Sequence, residues 1–569
     1  MSEPADAARP SWVHRSDGRL VPFDPDRISL DLFAATEALG QPDAFLAREL
    51  TDSILHFLAA ETEGGVTTTR QVAELGAKVL RELGHPRLAA AFARPAETPA
   101  APVDLPSPAS SFGPSLAEVE RLLRAVEAPG PLAAALGRRC LTEFSLMQVF
   151  ARDLAAVHRD GLLTLGHLES PRTLAVGVLP LSPGQHPTRR LAQRVREMSA
   201  VVGGYLAVDS PEFLLSEAAD SVQAVREFIR ELHLGLAGAG LNVVVNLNCA
   251  VPPPEAAEPQ GGPLFATTVR AIPTEQRWAV ADRLLHELPA GGLDRNLRLD
   301  WHLTADDLQP QRAERLRAAA QRWVEGAAIT FVFDRARKPI ALAEGVDRKH
   351  SATLLAVGVH LHQLAQQPGL RGDLPRYVQK LGSLARLAVA AAVQKREFLR
   401  RHSQGRPALT QGFVLDRARL VVVPIGLEAA VRTLTERGLA GGGPGLEAAS
   451  HLLAELRAAL EREGRARYLE VCLDSAPAFA MSADADGRPE HTAGVTAWDV
   501  QATPRQQLKA SAALPAASSA AILLDGLQPL SADEALHLLR AAWQQSDLTR
   551  LHLRQVRGVR QAAPVLWGQ

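Results

Sequence analysis

Val13-His14-Arg15-Ser16-Asp17-Gly18-Arg19-Leu20-Val21-Pro22-Phe23-Asp24-Pro25-Asp26-Arg27-Ile28 opens the first folded part of this chain. Ser16-Asp17-Gly18 is a turn signal between two short extended runs, and Gly18 is free to take the positive φ that such a turn requires. Asp24-Pro25 predicts an N-cap followed by proline at the first helical position. Ile28, Leu32, Ala35 and Leu39 then recur on one helical face. Leu46, Leu50, Ile54, Phe57 and Leu58 predict a second helix; Val72, Leu75, Val79 and Leu83 predict a third, capped by Thr67-Thr68-Thr69. Together these signals predict a small β-hairpin on a helical bundle over residues 1–95.

Beyond it, Pro95, Pro99, Pro102, Pro106, Pro108 and Pro114 lie among alanines and serines. That composition predicts a semi-extended linker over 96–114 and a second domain over 115–569. The second domain alternates helical patterns with short β-rich runs, as an α/β architecture does. Its clearest strands are Leu241–Leu247, Ala328–Phe333 and Leu420–Ile425, and its clearest helices are Tyr377–Arg400 and Leu446–Arg462. Length (569 residues) suggests about three or four domains' worth of mass. The 46% apolar and 22% charged fractions are those of a folded protein with a sizeable core. Net charge is −1, from 62 basic and 63 acidic residues, which offers no global field to nucleic acid or membrane. No apolar run reaches the roughly 18 residues of a membrane span and no signal-peptide core is legible, so a cytoplasmic location is expected. An arginine- and alanine-rich, lysine-poor composition suggests a GC-rich bacterial genome.

The N-terminal layout resembles the ATP-cone, the nucleotide-sensing module of many ribonucleotide reductases and of a bacterial repressor of their genes. The family's opening signature is Val-x-Lys-Arg-Asp-Gly, then Phe, then Lys-Ile. Here it stands as Val13, Arg15, Ser16, Asp17, Gly18, Phe23, Arg27 and Ile28. The family's Lys-Arg pair has become Arg15-Ser16, which removes one cation, and its later Lys has become Arg27, which keeps a phosphate-binding charge. The resemblance implies that ATP or dATP, with magnesium, binds at Val13, Arg15, Ser16, Asp17, Gly18, Asp24, Arg27 and Thr68. It also implies a homo-oligomer whose assembly responds to nucleotide.

The second part resembles the anaerobic, class III, glycyl-radical ribonucleotide reductases through landmarks in order over some 330 residues. Ala156-Val157-His158-Arg159-Asp160-Gly161-Leu162 is similar to a helix ending in His-x-x-Gly that leads into the barrel. Val243-Val244-Val245-Asn246-Leu247-Asn248 stands where the family has a first barrel strand bearing asparagines. Pro424-Ile425-Gly426-Leu427-Glu428 is similar to the Gly-Leu-Asn-Glu helix start, and Leu469–Phe479 to the strand ending in Thr-Pro-Ala-Glu. The implied fold is a ten-stranded α/β barrel of two five-stranded halves wrapped by helices.

That chemistry needs a cysteine at the tip of a mid-chain loop, a C-terminal glycyl-radical loop and a four-cysteine zinc site. The cysteines are Cys140, Cys249 and Cys472. None lies between 249 and 472, so the central loop has no thiyl candidate, and nothing after Cys472 supplies thiolates, so no zinc is expected. Gln555-Val556-Arg557-Gly558-Val559 is the nearest match to the glycyl loop, with its arginine and aromatic positions altered. Cys249 and Gly558 are therefore weak catalytic candidates, and Cys249 reads more simply as a small buried hydrophobe. The radical site reads as degenerate.

Gly235–Gly240 runs into a strand rather than out of one, the wrong order for a phosphate loop. His360 and His362 stand two apart in a helical pattern and so on different faces. Lys395-Arg396 and Arg400-Arg401-His402 read as the solvated, dipole-favoured end of a long helix. No hydrolase signature is present. Three functions compete: a non-catalytic nucleotide-sensing relative of the reductase, with a reductase-system protein as a possible partner; a divergent reductase using Cys249 and Gly558; and a transcriptional regulator. Scattered cysteines cannot build the repressor's zinc ribbon, and neutral charge disfavours nucleic acid.

Overall fold

The computed structural model describes residues 10–15, 18–62, 65–93, 129–179, 188, 191–218, 220–236, 241–250, 273–287, 297–309, 312–402, 415–439, 441–474, 494, 502–514, 519–525 and 530–556. Ser16, Asp17, Gly558 and the 96–114 linker lie outside them. The chain divides into two compact units, Met1–Gly161 and Leu162–Gln569.

The first unit begins with β1 (Trp12–His14), β2 (Leu20–Pro22), α1 (Pro25–Ala38) and α2 (Ala44–Glu61), followed by β3 (Val66–Thr68), α3 (Thr69–Glu82) and α4 (Pro86–Phe92). β1 is the central strand, antiparallel to β2 and parallel to β3. The expected caps form: Asp24 accepts the Asp26 N–H at 3.1 Å, and Thr68 and Gln71 close a reciprocal capping box on α3. Ile28, Leu32, Ala35, Leu50, Ile54, Leu58, Leu75 and Val79 are buried as the periodicity requires, whereas Phe57 and Leu83 are exposed. The unit continues through α5 (Pro129–Phe144), a π-helical turn (Ser145–Val149) and α6 (Arg152–Arg159). The helix expected to lead into the second domain is therefore part of the first compact unit.

The second unit is an α/β assembly around one large sheet. Its strands are β4 (Leu163–Leu165), β5 (Leu174–Leu179), β6 (Val202–Asp209), β7 (Asn242–Leu247), β8 (Leu297–Leu303) and β9 (Ile329–Phe333), then β10 (Ala341–Ala343), β11 (Val346–Asp347), β12 (Ala352–His360), β13 (Arg419–Ile425), β14 (Val471–Leu473), β15 (Ser519–Asp525) and β16 (Arg550–Val556). Ten of them run in the order β14-β13-β12-β5-β6-β7-β8-β9-β16-β15, with β4 beside β12. β5 to β9 are mutually parallel. β12, β13 and β14 are parallel to one another, as are β15 and β16, and both groups meet the first five strands antiparallel. This is the expected pair of five-stranded halves. The asparagine-bearing strand is β7, the third of its half rather than the first. Two earlier runs, Leu174–Leu179 and Val202–Asp209, are apolar enough to be buried on both faces and supply the preceding strands.

Side chains of β7, β8 and β9 alternate across the sheet. Val243, Val245 and Leu247 of β7, Leu299, Trp301 and Leu303 of β8, and Phe331 and Phe333 of β9 share one cluster with the flanking helices. On the other face Val176, Val178, Ala207 and Val244 pack on Leu342, Ala343 and Val346, which belong to the β9–β12 connection. That connection therefore lies inside the curled sheet, as a central loop. At its tip the Gly345 N–H donates to Asp474, just past β14, at 2.8 Å, and the carbonyl of Ala343 accepts from Arg550 on β16 at 2.5 Å. Arg550 and Asp474 approach to 3.6 Å, which links β16 to the end of β14 beside the loop tip.

Two polar readings are corrected. Lys395 and Arg396 are buried, not a solvated helix end: Lys395 donates to the carbonyls of Ser170 and Pro171, and Arg396 to those of Tyr468 and Arg467. Burial pushes the Lys395 ammonium down to about 7. His360 ends β12 and His362 begins the next short helix, and this bend brings their rings edge-on at 5.5 Å between centroids.

Gly345 has φ +71, and a Cβ there would stand 2.0 Å from Cγ2 of Val421. Gly345→Ala should destabilise the second unit by on the order of 3 kcal/mol, from the left-handed backbone and the overpacking together. A lowered urea midpoint in the full chain is the expected result.

Candidate functional site

Of the cone's candidate residues, Val13, Arg15, Gly18, Asp24, Arg27 and Thr68 are among the described ones, and they lie on β1 or near its two ends. The Gly18 N–H donates to the Arg15 carbonyl at 3.0 Å, and Gly18 has φ +80, as the hairpin turn demands. His14 stands opposite Leu20 on one side and Thr68 on the other, so Arg15 follows directly beside the start of α3. At the other end of β1, Trp12 stands opposite Pro22 and Val66, and the Phe23 N–H donates to the Ser11 carbonyl at 2.9 Å. This places the start of α1, with Asp24 and Arg27, at that end. Thr68, the N-cap of α3, stands level with His14, whereas Asp24, the N-cap of α1, lies two residues beyond Pro22, the partner of Trp12, so the two helix starts are about four strand steps, roughly 13 Å, apart along β1. Arg15 and Arg27 are exposed, and Val13 between them is half-buried. Helix N-termini present unpaired N–H groups and a positive dipole end, so cations placed there suit a phosphate chain. Burial raises the Asp31 carboxyl above its ordinary value, with Arg27 opposing.

Arg48 was not among the sequence candidates. It lies on the buried side of α2, between Ala47 and Thr51, with 3% of its side chain exposed. Its guanidinium donates to Asp26 in the first turn of α1, and to Asp153 at the start of α6 at 3.2 Å. Its Nε has no hydrogen-bond partner. Burial raises the Asp153 carboxyl, and Arg48 opposes this. The legible signal was a charge on the apolar face of a helix, which has to be paired once buried.

Inside the barrel a second polar constellation surrounds the loop tip. Arg298 grips Asp300 at 2.7 and 3.1 Å and Glu344 at 2.5 and 3.2 Å, bidentate on both. Arg550 reaches Asp300 at 4.0 Å, and His552 lies 3.9 Å from Glu344 and 3.1 Å from the Thr330 hydroxyl. Burial by itself would raise the Glu344 carboxyl. Arg298, then Arg550 and His552, reverse this and hold it at about 2. At the C-terminal ends of β7 to β9, His302 contacts Asp334 at 2.9 Å and Asn246 Oδ1 at 3.0 Å, while Asn248 donates to Asp334 at 2.7 Å. Glu212, fully buried, accepts the Asn248 N–H, and burial pushes its carboxyl up to about 8. The alternation Arg298-Leu299-Asp300-Trp301-His302 on β8 was the available sequence signal for these inward residues.

Cys249 has 2% of its surface exposed and joins Val243, Val245 and Leu247 in the helix-facing cluster, on the side opposite the central loop. Burial raises its thiol well above the ordinary value. Cys472, on β14, is pushed up to about 12 by burial, and Cys140 is exposed on α5. Among the described residues, no three His, Cys, Asp or Glu side chains are grouped to hold a metal ion, and no helix is long and apolar enough to cross a membrane.

Glu344 has its folded carboxyl depressed to about 2 against an ordinary value of 4.5. Its contribution to stability is therefore present above about pH 4.5 and lost as the pH falls towards 2. Glu344→Gln should flatten the fall of the urea midpoint over that window, and an unchanged slope would contradict the pairing.

Residues 12–94 match the family model of the ATP cone domain. No curated protein matches the chain in sequence. Among solved structures, the anaerobic ribonucleotide reductase from Thermotoga maritima with citrate in the active site superposes with a TM-score of 0.58 at 13% identity, covering 77% of this chain and 93% of that one. The same enzyme with dATP bound in the specificity site gives 0.57 at 13% identity, over 77% and 86%. Its complex with dATP and CTP gives 0.55 at 12% identity, over 77% and 86%. The chain thus carries an ATP cone at residues 12–94, followed by a domain with the α/β fold of the anaerobic ribonucleotide reductases.

Proposed function

We propose that this protein senses ATP or dATP through its cone and does not itself reduce ribonucleotides. The observation that carries the second half is the tip of the central loop. Where reductase chemistry needs a cysteine able to become a thiyl radical, this chain has Glu344-Gly345, and Glu344 is gripped by Arg298. Residues 250–471 contain neither cysteine nor methionine. Removing a hydrogen atom from a ribose carbon needs a sulfur radical at that place, and a carboxylate in an ion pair cannot supply one. Cys249 faces the wrapping helices, away from the loop.

In the cone, Arg15 and Arg27 hold the triphosphate, whose magnesium is carried by the phosphates. The Ser16-Asp17-Gly18 turn shapes the pocket, and Val13, Asp24 and Thr68 line it. Arginine–phosphate contacts are charge-assisted and frequently bidentate. The cone passes nucleotide state to assembly of the chain with its own copies or with a reductase-system protein.

Titration calorimetry of the full chain in magnesium should give binding heat with ATP or dATP. Arg15→Ala and Arg27→Ala should each weaken binding by on the order of 1–3 kcal/mol, the scale of a lost charged hydrogen bond. No heat with either nucleotide would end the sensing reading. Light scattering after size exclusion should show a mass that differs between ATP and dATP, and one mass under all conditions would remove assembly as the readout. Anaerobic incubation with a radical-SAM activase and formate or thioredoxin should yield neither deoxynucleotide nor a glycyl doublet in electron paramagnetic resonance. A doublet that disappears in Gly558→Ala would establish the divergent reductase instead.

A further inference from the structure

We infer that Arg48 couples nucleotide occupancy of the cone to helix α6, the last helix before the chain passes through Gly161 into β4. This rests on the reading that the cone binds nucleotide. Arg48 stands on α2, yet its two partners come from two other elements, 22 and 105 residues away. Asp26 belongs to the first turn of α1, between the N-cap Asp24 and the candidate phosphate ligand Arg27. Asp153 belongs to the first turn of α6, where it also accepts the Leu154 N–H at 2.8 Å. One buried cation therefore spans the turn that would meet phosphate and the start of α6.

The arrangement has the makings of two states. One guanidinium serves two carboxylates from two different helices. The guanidinium touches each carboxylate through a single terminal nitrogen, and its Nε is unpartnered. A bidentate grip on either aspartate is the stronger geometry, and taking it means releasing the other. A triphosphate arriving beside Arg27 adds negative charge next to Asp26. The cation is then drawn towards α1, and Asp153 is left buried without its counter-charge. Since burial already raises the Asp153 carboxyl, and Asp26 raises it further, that state loosens the first turn of α6. A ligand moves such an equilibrium only through its differential interaction with the two states, and here that difference is the field at Asp26.

Hydrogen–deuterium exchange of the full chain tests this directly. With saturating ATP, amides of Arg152–Arg159 should exchange faster in the wild type by roughly fivefold or more, the lower edge of ordinary coupling. Asp153→Asn removes the charge at constant shape and leaves Arg48 paired with Asp26. In that variant the ATP-dependent difference in α6 should vanish, while calorimetric ATP affinity stays within about threefold of wild type. Arg48→Met should behave alike, but it strands the buried Asp153 carboxylate, so Asp153→Asn decides if that variant does not fold. A purely structural ion pair would shift the baseline exchange of α6 in Asp153→Asn and leave the ATP-dependent difference intact, which would overturn the coupling. Binding heat with unchanged or slowed α6 exchange in the wild type would overturn it as well. No heat with ATP or dATP would overturn the nucleotide reading, and the coupling with it.

Discussion

A charged loop threaded through a curled sheet has to bring its counter-charges with it. The Arg298 guanidinium, bidentate on Asp300 and on Glu344, is the contact on which the interior of the second unit depends. Arg298 and Asp300 stand two residues apart on β8 and so face the same side of the sheet, while Glu344 arrives from the loop. Pairing them fixes where the loop tip stops. Arg550 and Asp474 then continue the network from β16 to the end of β14. A buried network of this kind adds little net stability over a well-packed apolar core, because desolvation consumes most of the Coulomb gain. Removing one member is a different matter, since it strands the others in low dielectric. What the network supplies is definition: one loop position and one strand register.

That definition bears on chemistry. A radical enzyme of this fold needs a reactive group at the loop tip with space for substrate beside it. Here Glu344 and Gly345 are already engaged, by Arg298 and by Asp474. The contrast with the cone is one of exposure. Arg15 and Arg27 are exposed, near two helix starts.

The second buried arginine follows the same rule at smaller scale. Arg48 is tolerated on the apolar side of α2 because Asp26 and Asp153 meet it there. It differs from Arg298 in touching each partner through a single terminal nitrogen, with an unused Nε.

Much of this was legible in the residues themselves. The hairpin, the Asp24-Pro25 and Thr68 caps, the faces of α1 to α3, and the strands around Val243, Phe331 and Val422 follow from local stereochemistry and from the alternation or 3.6-residue recurrence of apolar side chains. The absence of sulfur between 249 and 472 is a property of composition. What sequence could not decide was everything set by partners distant along the chain. β7 reads as a strand, but its place as third of five depends on β5 and β6 pairing first. Lys395 and Arg396 read as a solvated helix end, because the carbonyls that bury them, Ser170, Pro171, Arg467 and Tyr468, lie 71 to 225 residues away. Cys249 reads as buried, yet only the strand's parity within the sheet says that it faces helices rather than the loop. Local sequence determined which segments became helices, strands and turns, because those choices are made by backbone and near-neighbour energetics. The tertiary structure alone decided which charges met, because a buried ion pair is chosen by the geometry of the whole fold.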